Sequence, residues 1–225
     1  ISNNTWDFYD SQNNKTKEYF LKMDIKYYKI NCGLHIRIAL IADLHGKGTS
    51  GIIDFIKKNK PSVIIIAGDL FDGKKIESAG KQMEINKGKI FLKKLIRIAP
   101  VYFGLGNHEW KLIKEDKENI ASVGLTLLDD TFVQFIPGIY IGGLTSTSRY
   151  GKYHITSTEP NISFLNRFER AGGFKILICH HPEYYDKYLT GRKFDLVLSG
   201  HAHGGQIRIG NQGLYAPGQG FFPKY

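Results

Sequence analysis

The sequence predicts an α/β fold with a functional site at the C-terminal ends of its strands, and three observations carry that prediction. Apolar runs of strand length alternate with stretches of helical spacing. Five of those runs end in a residue able to bind a metal ion. Glycines flank these residues, as expected where a backbone must turn sharply and come close to a ligand. The composition agrees: 225 residues, 42% hydrophobic and 23% charged, are ordinary for one globular domain with a real core.

Residues 1 to about 20 are polar and lack periodicity, and they are expected to form an arm or a short helix on the surface of a single domain spanning 1–225. The run HIRIALIAD (35–43) is rich in strand formers and ends in an acid. GIIDFIKKN (51–59) spaces Ile52, Ile53 and Ile56 as a helix does, and Pro61 stops it. SVIIIAGD (62–69) is a continuous aliphatic run, the pattern of a strand buried on both faces. A long basic helix is predicted over 82–98, with Leu92, Leu95, Ile96 and Ile98 on or near its inner side. VYFGLGNHE (101–109) reads as strand then loop. TFVQFI and IYIGGL, divided by Pro137 and Gly138, read as two further strands. KILICHHP (175–182) and DLVLSGHAHGG (195–205) are apolar strands that open into polar loops.

The formal net charge of +10 favours anionic partners such as phosphate compounds, acidic lipid surfaces or nucleic acid. The alternative is a lysine- and asparagine-rich composition that only keeps the surface solvated. Basic residues are not interleaved with the aromatic ones in the way that stacks exposed bases, so nucleic acid is not the expected partner. Cys32 and Cys179 cannot make a disulfide framework, which suits a reducing compartment. No stretch approaches the roughly 20 apolar residues of a membrane span. The chain opens on Ile1 rather than Met and is expected to be a fragment or processed form. The expected location is cytoplasmic, with membrane association through a segment outside this chain.

The chemistry lies in five loops. ADLHG offers Asp43 and His45; GDLFDG offers Asp69 and Asp72; GNHE offers Asn107 and His108; CHHP offers His180 and His181; GHAHGG offers His201 and His203. Carboxylates, imidazoles and one amide oxygen form a mixed donor set that suits Mn²⁺, Fe²⁺ or Zn²⁺ and is poor for Ca²⁺. Each piece alone is weak, since a single histidine at a strand end is more often a satisfied polar group than a ligand. Together, in order, after five apolar strands, they specify a metal centre.

The ordered set D-x-H, G-D-x-x-D, G-N-H-E, H-x-P and G-H-x-H, over residues 36–205, resembles the calcineurin-like metallophosphoesterases. The tail from Gly204 resembles a bacterial branch of that superfamily whose members often carry a membrane anchor. The resemblance implies a four-layer α/β/β/α sandwich of two mixed sheets. It also implies two divalent ions: one held by Asp43, His45 and His203, one by Asn107, His180 and His201, with Asp69 shared. His180 matches the family's ligand, and His181 is expected in the pocket wall. His108 matches the catalytic histidine, a general acid for the leaving oxygen. Asp72 matches the carboxylate that orients it, or else caps a helix; the two roles are compatible. No role is assigned to Glu109. Cys179 is expected to be a packing residue rather than a nucleophile.

The activity implied is two-metal hydrolysis of a small or lipid-linked phosphomonoester, phosphodiester or pyrophosphate, in which a metal-activated hydroxide attacks phosphorus. The alternatives are a metal-dependent nuclease and a non-catalytic metal-holding scaffold. Related protein Ser/Thr phosphatases place arginines where this chain has Gly73 and Leu105, so two bidentate phosphate grips are missing. Lys47 or Arg149 could contact substrate instead. Similar bacterial sequences run on past PGQGFFPKY with more strands, so either those strands are missing here or the architecture is trimmed.

Overall fold

In the computed structural model the backbone is described for residues 8–9, 15–16, 27–30, 32–47, 51–147, 159–203, 207–209, 212–216 and 220–221. The chain forms two compact units, residues 1–35 and 36–225. In the first, β1 (Phe8–Tyr9) and β2 (Lys15–Thr16) pair antiparallel, with Phe8 opposite Thr16. The arm or short helix expected over residues 1 to about 20 otherwise lies outside the described residues.

The second unit is built on two four-stranded sheets. The first sheet takes β3 (Ile38–Ile41), β4 (Val63–Ala67), β5 (Val101–Gly104) and β6 (Thr126–Leu128) in that order, all parallel. Every residue of β4 is buried, which accounts for its unbroken aliphatic sequence. Its outer face is covered by α1 (Ile52–Asn59) through Ile56 and by α3 (Lys81–Leu95) through Ile85, Phe91, Leu92 and Leu95. Burying each such side chain contributes on the order of 1.5–3 kcal/mol. The helix expected over 82–98 ends at Leu95, and Ile96 and Ile98 pack on the core from the turns that follow. Two further helices, α2 (Gly73–Ile76) and α4 (Lys114–Ala121), follow β4 and β5.

The second sheet has the order β10 (Leu196–Leu198), β9 (Phe174–Cys179), β8 (Ile139–Leu144), β7 (Thr131–Ile136). Strands β8, β9 and β10 are parallel, and β7 is antiparallel to β8 across the Pro137–Gly138 turn. Helix α5 (Ile162–Glu169) buries Phe164, Leu165 and Phe168 against Leu177 and Cys179. The two sheets pack face to face through small residues. A Cβ on Gly104 would lie 2.6 Å from Ile178 Cγ2, and one on Gly143 would lie 2.6 Å from Leu128 Cβ. The layers therefore run helices, sheet, sheet, helix, and the fold class is the mixed α/β sandwich expected. The remaining strands β11 (Ile207–Ile209), β12 (Gln212–Ala216) and β13 (Gly220–Phe221) form a three-stranded antiparallel sheet. Arg149 lies outside the described residues.

Parallel pairing brings the C-terminal ends of β3, β4 and β5 to one edge of the first sheet and those of β9 and β10 to one edge of the second. Ligands in open α/β sheets gather at such ends. Among the described residues, no helix is long and apolar enough to cross a membrane.

Candidate metal centre

The loops after these strands are laced to one another by backbone hydrogen bonds. Asp43 N–H donates to the Gly68 carbonyl at 3.2 Å, His45 N–H to the Asp69 carbonyl at 2.9 Å, and Gly200 N–H to the His180 carbonyl at 3.1 Å. The chain turns so tightly here that Asp43, His45, Asp69, His201 and His203 all adopt positive φ, between 48° and 65°. Only two other non-glycine residues among those described do so, Lys60 and Asp130. Such conformations cost roughly 1–3 kcal/mol each and persist where function holds them.

The structure brings all seven expected ligands together in two adjacent groups. One donor atom from each of Asp43, His45 and His203 lies within 4.8 Å of the others, and the same holds for Asp69, His180 and His201. His45 Nε2 faces His203 Nε2 at 3.2 Å, with the rings stacked. Burial holds His45 neutral, its pKa lowered to about 4 despite Asp69, and leaves a lone pair for an ion. His201 is held lower, at about 2, by burial and by its neighbours His181 and His180.

His180 shows most directly why a cation suits the centre. Its Nδ1–H donates to the Ala67 carbonyl at 2.7 Å, which turns Nε2 towards Asp69 Oδ2 at 3.2 Å and Asn107 Oδ1 at 3.0 Å. An imidazole lone pair, a carboxylate and an amide oxygen are all acceptors, and Asp69 and His180 are 1% and 2% exposed. A metal cation, or a proton on Nε2, reconciles them. In the metal-free protein a proton plays that part: burial works against it, but Asp69 and Asp43 raise the His180 pKa to about 10. Asp69 moves the other way, held below the usual carboxylate range by His180 and His108 against the effect of its burial. The Asp43 carboxyl is raised, by burial first. A divalent ion fits this donor set.

His108 lies beside Asp69, with Nε2 3.7 Å from Oδ2. Its Nδ1 accepts from the Gly73 N–H at 2.9 Å, so the neutral ring carries its proton on Nε2. Burial lowers its pKa, and Asp69 and Asp72 oppose that. Asp72 is the N-cap of α2, accepting from Lys74 N–H at 3.0 Å. The capping role expected of Asp72 is thus seen, and the donor set against His108 Nδ1 is the backbone N–H of the next residue, Gly73. Cys179 is buried with its thiol pushed up to about 12, which suits packing.

Two carboxylates that hold this site were not assigned from sequence. Glu109 is 1% exposed and accepts three backbone N–H groups, from Asp69 at 2.9 Å, Gly106 at 2.8 Å and Phe71 at 3.2 Å. It ties the loop after β4 to the loop after β5. Burial and the charge of Asp69 raise its pKa to about 7. The signal for it was its place beside Asn107 and His108, where a solvent-facing acid reads the same. Glu84, on the basic helix α3, is 3% exposed and accepts from Asp72 N–H at 3.1 Å. Its carboxylate fills the space that a Cβ on Gly46 would need. Nothing in the sequence separates it from the solvated acids of other helices. His181, expected in the wall, is buried with Nε2 2.7 Å from Ser146 Oγ.

The sequence profile of the calcineurin-like phosphoesterases matches residues 36–205, which hold every one of these ligands. The chain belongs to the calcineurin-like phosphoesterase family. As a metallophosphoesterase domain it carries the donor set of a metal-dependent phosphoester hydrolase. It is 29% identical over 191 residues to the Bacillus subtilis protein YpbG, a match covering 82% of this chain and 67% of that one. A Helicobacter pylori metallophosphoesterase is 26% identical, with 76% of this chain and 45% of the relative aligned. A Danio rerio transmembrane protein with a metallophosphoesterase domain is 27% identical, covering 76% and 41%. The chain thus spans about two thirds of the Bacillus protein and less than half of the other two. Among solved structures, one superposes with a TM-score of 0.50 at 12% identity over 78% of this chain and 87% of its own, which shows the shared fold.

Proposed function

We propose that this chain hydrolyses a small or lipid-linked phosphoester at a two-ion centre, with His108 as its proton donor. The observation that carries the reading is the meeting of seven residues from five strand ends, Asp69 and six others, in two groups, with Asn107 against His180 and His108 Nε2 beside Asp69. Asp43, His45 and His203 would hold one divalent ion and Asn107, His180 and His201 the other, with Asp69 between them. Two such ions supply positive charge to the phosphoryl oxygens and acidify water. Asp69, pinned by its own backbone bond to Glu109 and accepting from His108 N–H at 2.8 Å, fixes the spacing between the two groups. His108, its Nδ1 held by Gly73, presents the Nε2 proton for the departing oxygen.

The substrate class follows from the walls. A cleft of about 580 Å³ opens beside Asp43 and His203 and is walled by Pro182, Tyr185, Phe194 and Ala202. An apolar wall next to a phosphoryl site suits an ester whose alcohol is aromatic or lipid-like. Gly73 and Leu105, in place of arginines, argue against a phosphoprotein. Leu105 is buried and its carbonyl accepts from Ser146 N–H. The membrane-protein relative supports a lipid-linked substrate, and the basic surface supports an anionic one.

The test is turnover of bis(p-nitrophenyl) phosphate and p-nitrophenyl phosphate with Mn²⁺, with chelator, and with His108→Ala. The expected result is metal-dependent release that falls by about 10²–10⁴ in the variant. A metal-loaded chain that cleaves neither ester nor a pyrophosphate would sink the reading.

A further inference from the structure

One polar pair beside the centre, His181 and Glu183, takes no part in the hydrolysis proposed above. After β9 the chain turns at Pro182, with Tyr184 N–H bonded to the His181 carbonyl and Tyr185 N–H to the Pro182 carbonyl. The turn sets His181 and Glu183 side by side, Nδ1 to Oε2 at 3.7 Å. Both carboxylate oxygens of Glu183 are shut off from solvent, and among the described residues neither has a partner within hydrogen-bond distance. A buried acceptor left unmatched is costly, and a buried charge more so.

The third member is His201, whose ring stands 4.1 Å from that of His181. One donor atom from each of His181, Glu183 and His201 lies within 4.8 Å of the other two. The far nitrogen of His181, Nε2, is held by the Ser146 hydroxyl at 2.7 Å. When Nε2–H donates to that oxygen, the lone pair on Nδ1 faces the carboxylate, and two acceptors face each other. A cation between them removes the conflict. Two imidazoles and one carboxylate form a set that zinc and similar ions accept.

We propose that His181, Glu183 and His201 form an accessory divalent-cation site that inhibits hydrolysis when filled. The proposal rests on the two-ion reading, because it borrows His201 from the group around Asp69. A neutral imidazole has one lone pair, so His201 serves one ion at a time. An ion in the accessory site draws His201 away and leaves Asp69, Asn107 and His180 with one ligand fewer. Scarce metal fills the hydrolytic centre first, since Asp69 adds a shared buried charge there. Excess metal then binds at the accessory site and slows turnover.

The experiment titrates Zn²⁺ into the metal-stripped full chain, counting bound zinc by equilibrium dialysis and measuring p-nitrophenyl ester turnover on the same samples. The wild-type chain is expected to bind two ions tightly and a third at least about tenfold more weakly, with turnover falling as the third binds. Glu183→Gln, which keeps the side-chain shape, should retain two ions and its turnover at low zinc, lose the third ion, and stay active in excess zinc. A third ion that persists in Glu183→Gln overturns the proposal. So does a wild-type chain that saturates at two ions, and this result leaves the two-ion reading standing. A wild-type chain that takes up fewer than two ions contradicts both.

Discussion

Gly73 connects the position of a backbone amide to the chemistry of a side chain. A Cβ at this residue would stand 2.8 Å from His108 Nδ1, the atom its N–H now supports. Gly73→Ala should therefore push the imidazole aside and lower kcat by about 10–100-fold while metal content stays unchanged, since misplacing a catalytic group by an ångström costs that order. Metal analysis and steady-state kinetics on one preparation check this, and unchanged kcat would remove Gly73 from the account. His180 gives a second expectation. Its pKa is raised to about 10 in the metal-free protein, so at pH 7 it carries a proton that an incoming ion must displace. Metal uptake should release that proton, and affinity should rise with pH until His180 loses it unaided near 10. Calorimetry in buffers of different ionisation enthalpy would show it; binding heats that do not depend on the buffer would contradict it. The ligands themselves were legible in the sequence because each closes an apolar strand. Glu109, Glu84 and Glu183 were not, because burial decides their role and a single acid in a loop or helix carries no mark of burial.

At the scale of elements, the strands were read from their aliphatic runs, and the two sheets could not be. Which strands share a sheet depends on pairings such as Ile64 with Val101 and Leu144 with Cys179, which hydrophobic pattern alone does not specify. The helix over Lys81–Leu95 was legible from Leu92 and Leu95, but its end was not, since the apolar pattern runs on through Ile98 into the turns. Helix α5 was not singled out in the sequence, although it seals the second sheet. Phe168 in its last turn is fully buried, stacked against Phe164 and Phe132, and its ring occupies the space above Gly142. Phe168→Ala should destabilise the fold by about 3–5 kcal/mol through the cavity it leaves. Because α5 packs on the face away from the first sheet, the metal affinity of the folded fraction should be unchanged. Denaturant melts and metal titrations separate the two effects, and a variant of wild-type stability would refute this view of the second core.

Across the whole molecule, the site is the seam between two sheets. Residues from β3, β4 and β5 meet residues from β9 and β10, and five of them sit in left-handed backbone conformations. Ions that bind only the assembled seam must stabilise the fold, by about 2.7 kcal/mol when free metal is a hundred times the dissociation constant. Chelation should therefore lower Tm and added Mn²⁺ should restore it, with a double substitution of Asp43 and Asp69 to asparagine removing the response. Equal melting with and without metal would mean that the seam is held by packing alone. In the proposed centre one carboxylate, Asp69, is shared by two ions. Anomalous diffraction from crystals of the manganese-loaded chain tests it most directly. Two peaks flanking Asp69, one against Asp43, His45 and His203 and one against Asn107, His180 and His201, are the predicted result; a single peak, or two that do not share Asp69, would contradict it.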